Sequence, residues 1–233
     1  MGASIEFAGG TDRIEVSTYS GMTDIFTGGG NISFWTKLNS SMSGNGAALR
    51  FLDKTRGTSA SPTEGWACYR LSFDASNDLM SFLIRRDGLS VSNLPLEIPL
   101  DEWIHLSLNW GGDPAVTPVQ FHNGINVGSM NSFSGTGPYV PDTNNPVFFG
   151  NSPNLDRPLE AEMCYVHMYD KELSVEEINE IMHKPGSIRD GLVGFWPLTD
   201  DGSTQRNLSG IGNTGAVTGA TNSADGPPVT CFK

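Results

Sequence analysis

Two acidic residues, Glu160 and Glu162, come nearest to a catalytic pair in this chain of 233 residues. They stand two positions apart in EAEMCYVHMY, an alternating stretch typical of a β-strand, so both lie on one face of it. A glycosidase needs two carboxylates across the scissile bond, one as acid and one as base or nucleophile. An ordinary solvated strand edge accounts for the same two residues, and we favour that interpretation.

Other catalytic patterns are missing from the sequence. It has no G-x-S-x-G elbow, no H-E-x-x-H motif and no phosphate loop, and GIGNTG lacks the strand-to-helix context of a nucleotide site. The three cysteines, Cys68, Cys164 and Cys231, are far apart and odd in number, so we expect free thiols. We therefore expect the protein not to be an enzyme.

A set of polar and aromatic side chains alternates with the aliphatic residues of the predicted strands. In DEWIHLSLNW (101–110), Ile104, Leu106 and Leu108 lie on one side of the strand. If the aliphatic sides form the core, six side chains point the other way, and three of them are histidines. These six are His105, Asn109, Gln120, His122, Tyr165 and His167. Either they form a binding surface or they lie on an ordinary wet sheet face.

Short alternating runs separated by turns must position these residues. The chain has 28 Gly and 14 Pro, which fits many short strands joined by turns and predicts an antiparallel β-sandwich or barrel. Asn123-Gly124 between alternating residues predicts a tight hairpin. No hydrophobic break divides the chain, so we expect residues 1–233 to form one domain.

One helix is predicted near residues 175–183. Ser174 and Glu177 have the spacing of a capping box, and Pro185-Gly186 ends the segment. Val175, Ile178, Ile181 and Met182 fall on one helical face and are expected to pack on the sandwich.

Charge and hydropathy exclude several classes of partner. The net charge of −12 argues against nucleic acid and anionic membranes. No run approaches the roughly 20 apolar residues of a membrane span, and MGASIEFAGG lacks the regions of a signal peptide. We expect neither membrane insertion nor export.

The order of these elements resembles the concanavalin A-like jelly roll, and within it the laminin G-like or pentraxin-like domains. The resemblance covers most of residues 3–183 and rests on IEFAGGTDRIEV, NISFWTKL, DEWIHLSLNW, FHNGINVG, VFFGNSP and EAEMCYVHMYDKELSVEEINEIM. It implies a two-sheet antiparallel sandwich with one short helix. Residues 190–222 resemble a stretch that usually precedes such domains, so we expect them to add an edge strand and loops beside the first strand; a truncated second repeat is the alternative.

The resemblance also implies candidate binding sites. Jelly-roll lectins bind sugars on a polar, aromatic concave face, here the six side chains named above, or on the rim loops above it. Pentraxin-like relatives hold Ca²⁺ on the rim with carboxylate and amide oxygens. The matching positions are Asp53, Asn151, Asn154 and Asp156. Ser152-Pro153 replaces the central Glu of that site, and turn formation alone explains the same residues. The glucanase pattern Glu-x-Asp-x-x-Glu is absent.

We expect a non-catalytic, lectin-like binding or adhesion module. Its resemblance to jelly-roll proteins of phages implies a capsid decoration, fibre or tail accessory protein on the virion surface that binds host glycan, with display at a cell surface as the alternative. A purely structural virion protein that binds other virion proteins or itself is the second hypothesis, and a glycoside hydrolase is the third.

Overall fold

The computed structural model describes residues 3–39, 48–58, 61–72, 78–86, 88–113, 116–129, 138–142 and 144–229. Cys231 and the other residues outside these ranges are not described. Nearly all regular structure is β, in two large antiparallel sheets and one small hairpin. The all-β prediction is confirmed.

Sheet A has eight strands in the described part of the chain. Along the sheet the order is β12, β11, β10, β3, β14, β1 and β18, and β15 also pairs with β14. Their bounds are β1 Ser4–Ala8, β3 Gly30–Leu38, β10 Ile104–Trp110, β11 Val119–His122, β12 Ile125–Ser129, β14 Glu160–Tyr169, β15 Leu192–Trp196 and β18 Thr221–Ser223.

Sheet B also has eight strands among the described residues, in the order β16, β17, β2, β13, β4, β7, β8 and β9. Their bounds are β2 Arg13–Val16, β4 Ala48–Asp53, β7 Trp66–Ser72, β8 Asp78–Arg86, β9 Gly88–Glu97, β13 Val147–Phe149, β16 Thr204–Gln205 and β17 Gly215–Thr218. Strands β5 (Arg56–Thr58) and β6 (Ser61–Glu64) form the separate hairpin.

The core lies between the two sheets. Phe34 of β3 and Phe51 of β4 meet across it with ring centroids 5.2 Å apart, and Phe149 of β13 meets Trp196 of β15 at 5.3 Å. Leu106 pairs with Phe34, so the aliphatic side of β10 faces inward as predicted. Burial of these alternating rows supplies the main driving force for the sandwich.

Two local predictions are confirmed. Asn123 and Gly124 form the two-residue turn between β11 and β12, with φ of 48° and 75°. Helix α1 spans Val175–His183, and its capping box joins Ser174 and Glu177 in both directions. Val175 departs from expectation, since it is 44% exposed while the rest of the apolar helix face is buried.

The C-terminal part of the chain adds strands to both sheets. β15 pairs with β14, β17 with β2, and β18 with β1. The treatment of residues 1–233 as one domain stays a prediction. None of the helices in the described ranges combines the length and hydrophobicity that a membrane span needs.

Candidate functional site

The outer face of sheet A, predicted to be polar, lies beneath α1. Trp35 Nε1 donates to Met182 O at 3.2 Å, and Asn109 exchanges hydrogen bonds with the backbone of Leu173. His167 Nε2 accepts the Gly186 N–H at 3.0 Å, and its ring stacks on Phe195 at 4.4 Å. The expectation of a solvent-open face is wrong because the helix and the segment after it cover these strands.

The pairing register of β10 and β11 shows that the six predicted glycan-binding side chains do not all lie on one face of sheet A. Ser107 pairs with Phe121, so Phe121 lies on the helix-covered face. Gln120 and His122 pair with Leu108 and Leu106 and therefore point between the sheets, where Gln120 Nε2 lies 2.8 Å from His122 Nε2. The prediction that Gln120 and His122 share a face with His105 is wrong. A shift of one residue in the pairing register moves every side chain of a strand to the opposite face of the sheet.

Tyr165 lies in an irregular part of β14. The register with β3 shifts between Cys164 and His167, and Tyr165 has a positive φ of 51°. Its N–H donates to Pro197 O at 3.0 Å. The six side chains are at most 8% exposed, with His105, Gln120 and His167 fully buried. Their role as glycan ligands stays a prediction, but this conformation does not present them to a sugar.

Both carboxylate oxygens of Asp53, one of the four predicted calcium ligands, are bound to protein groups. Asp53 is fully buried, with Oδ2 2.7 Å from Arg50 Nε and Oδ1 accepting from the Thr55 hydroxyl and N–H. Burial raises the pKa of Asp53, although the Arg50 charge opposes that shift. A cation here would have to displace a guanidinium from a closed site.

The other three predicted calcium ligands form hydrogen bonds that hold the loop after β13. Asn151 Oδ1 accepts the N–H groups of Ser152 and Arg157, and its Nδ2 donates to two backbone carbonyls. Asp156 Oδ1 accepts the Ser152 hydroxyl, and Asn154 Nδ2 donates to Gly57 O. No group of three metal-binding side chains occurs in the ranges that the structure describes. These residues do not fit the calcium site that the resemblance implies.

The two candidate catalytic acids do not face each other across a cleft. Glu162 is buried on the outer face of sheet A, where it accepts the Ser4 hydroxyl at 2.9 Å and lies 3.5 Å from Lys37 Nζ. Glu160 is exposed, where β14 begins. This placement agrees with a structural role for Glu162.

An open cleft lies where the strands of sheet B end, and we call it the rim cleft. It encloses about 550 Å³ and is lined by residues 55–57, 144–146 and 153–154. This volume is within the range of small-molecule sites. Its lining includes Arg56, Asn144, Asn145 and Asn154 as polar groups, and Pro146 and Pro153 as apolar surfaces.

A buried ion pair lies next in sequence to the lining of the rim cleft. Lys54 Nζ lies 2.5 Å from Asp142 Oδ1, both side chains are fully buried, and Tyr139 donates its hydroxyl to Asp142. Burial lowers the pKa of Lys54 and raises that of Asp142, while their mutual attraction opposes both shifts. Asn145 Nδ2 donates to the backbone carbonyl of Lys54, so the residue that forms the ion pair also contacts the cleft lining.

Sequence reasoning found Asn154 but missed the rest of the rim cleft. Asn144-Asn145-Pro146 has ordinary turn composition, and Arg56 is the first residue of the short strand β5. Their proximity depends on contacts such as that of Asn154 with Gly57 O, between residues 97 positions apart.

The sequence profile of the concanavalin A-like lectin/glucanases superfamily, laminin G type, matches residues 8–179. The chain belongs to this superfamily. Comparison with curated protein sequences gives no match.

Solved structures share the fold at low sequence identity. A candidate carbohydrate binding protein from Bacteroides ovatus matches 97% of the chain at 14% identity and a TM-score of 0.68, and the chain spans 61% of that protein. The match to the heptameric SAP-like pentraxin from Limulus polyphemus covers 93% of this chain and 95% of the pentraxin chain, at 11% identity and a TM-score of 0.55. The match to the receptor binding domain of botulinum neurotoxin mosaic serotype C/D covers 76% of this chain and 41% of the toxin chain, at 14% identity and a TM-score of 0.56.

Proposed function

We propose that this superfamily member is a non-catalytic, lectin-like module that binds a carbohydrate in the rim cleft. The observation that carries the proposal is the cleft itself, which is open, of about 550 Å³, and lined by side-chain amides and one guanidinium. Sugar hydroxyls require convergent donors and acceptors of this kind. The shared fold with a candidate carbohydrate binding protein adds support.

The lining of the rim cleft is partly held in position before any ligand binds. Asn154 is oriented by its bond to Gly57 O, and Asn145 by its bond to Lys54 O. The Arg56 side chain is 66% exposed and lies 3.6 Å from Glu64, which leaves it accessible to a ligand. Pro146 and Pro153 offer apolar surface to the nonpolar side of a sugar ring.

A glycan array with the whole chain tests the proposal. We expect binding to at least one glycan, and we expect Arg56→Ala and Asn154→Ala each to weaken it by about tenfold, the effect of one lost hydrogen bond. Asn126→Ala is the matched control, because this exposed amide lies on β12 at the edge of the other sheet.

Two outcomes would contradict the proposal. Silence across a broad array would favour the structural alternative, in which the protein binds other subunits or itself. Hydrolysis of a β-glucan that Glu162→Gln abolishes would favour the glycosidase alternative.

We also propose display on the surface of a phage virion, as a decoration, fibre or tail accessory protein. The support for this setting is the resemblance to jelly-roll proteins that phages encode. Immunogold labelling of intact particles checks it separately from the glycan array.

A further inference from the structure

The layer between α1 and sheet A has polar side chains at its centre. Antiparallel pairing of β10, β3 and β14 aligns side chains in rows beneath the helix. The first row is His105, Trp35 and Cys164, and the next is Ser107, Ser33 and His167. His105 and Ser33 are therefore diagonal neighbours on this face.

Several polar atoms of this layer have no hydrogen-bond partner among the residues that the structure describes. Both ring nitrogens of His105 and the hydroxyl of Ser33 are unpaired, and both residues are fully buried. Asn31 Oδ1, in the following row of β3, is also unpaired. Buried polar atoms in native proteins are nearly always satisfied, by protein or by ordered water.

The helix does not supply the missing partners. α1 turns Ile178, Ile181 and Met182 toward the sandwich, and hydrocarbon cannot hydrogen-bond an imidazole. The Met182 carbonyl is taken by Trp35 Nε1. Burial lowers the pKa of His105 to about 3, so the ring is neutral and offers one donor and one acceptor.

We propose that the layer beneath α1 is an internal hydration site, in which ordered water bridges the imidazole of His105 and the hydroxyl of Ser33. A buried water needs two to four polar partners, and Ser33 Oγ and one ring nitrogen of His105 would supply two of them. The water would belong to the fold, linking β10 to β3 beneath the helix.

A high-resolution crystal structure of the whole chain tests the site. We expect an ordered water within about 2.7–3.2 Å of one His105 ring nitrogen and of Ser33 Oγ. Crystals of His105→Phe should lack that water, because the replacement ring fills a similar shape without polar atoms. Crystals of Asn126→Ala should keep it, since this exposed residue lies outside the layer.

The wild-type protein in solution gives a second measurement that does not depend on the variant folding. We expect nuclear Overhauser effects between a long-lived water and the ring protons of His105. A crystal in which the His105 nitrogens bond to protein groups, or in which the layer is dry, would overturn the proposal, as would the absence of the water signal.

Discussion

At the scale of single residues, burial decides what each ionisable group does. Asp53 and Asp142 are both fully buried, and each is bound to a cation of its own chain. Arg50 also lies over the ring of Tyr69, 4.7 Å from its centroid. These carboxylates are therefore structural, although acidic residues beside loops resemble metal ligands in sequence.

Removing one partner of the Lys54–Asp142 pair should be costly. We expect Asp142→Asn to lower the free energy of unfolding by about 3–5 kcal/mol, because it removes the carboxylate that contacts the buried Lys54 ammonium directly. Urea denaturation measures the change.

The matched control is Asp190→Asn. Asp190 pairs with Lys171, but its side chain is 87% exposed, so the expected change is below about 1 kcal/mol. Equal effects in the two variants would show that Lys54 is not held in a low-dielectric site.

At the scale of elements, α1 covers the polar face of sheet A. Burial of His105 and His167 on this covered face lowers the pKa of each ring to about 3, since charged imidazoles are poorly solvated there. An unfolded chain titrates these residues near pH 6.5. Below that pH the unfolded state takes up protons that the folded state does not, so stability is lost as the pH falls toward 3.

His105→Phe should reduce this acid sensitivity. Between about pH 6 and pH 4, we expect the slope of unfolding free energy against pH to be smaller by about 1.4 kcal/mol per pH unit than in the wild type. Urea denaturation at a series of pH values measures both slopes. The raised pKa values of Asp53 and Asp142 act in both proteins and cancel in the comparison. An unchanged slope would mean that His105 is protonated in the folded protein.

At the scale of the whole molecule, the C-terminal strands continue both sheets. β15 contributes Trp196, which is fully buried and contacts Phe149, and Phe195, which stacks on His167. These contacts join residues that are far apart in sequence into one core.

Truncation should therefore unfold the protein. We expect a chain of residues 1–189 to lose its cooperative thermal transition, because the edges of β14, β2 and β1 lose their partners. Circular dichroism and size-exclusion chromatography measure the result, with residues 1–229 as the control. A cooperative transition in 1–189 would favour the alternative of a separable, truncated repeat.

The sequence was most informative where structure depends on neighbours along the chain. The capping box of α1, the Asn123-Gly124 turn and the inward aliphatic side of β10 follow from local periodicity and backbone preference. Periodicity misplaced Gln120 and His122, because hairpin register is not visible in a single strand. The family resemblance named Asn154, as a calcium ligand, and the structure places it in the rim cleft.

What the sequence by itself determined is the fold class, the short helix and the superfamily resemblance. Only the tertiary structure decided which surface is open and which oxygens are bound. Trp35 meets Met182, and residues 55–57 meet 153–154, through contacts between segments that are distant in the sequence. The alternation of side chains along a strand predicts which of them point away from the core. Whether those side chains contact water, a helix or a ligand depends on packing between segments distant in the sequence.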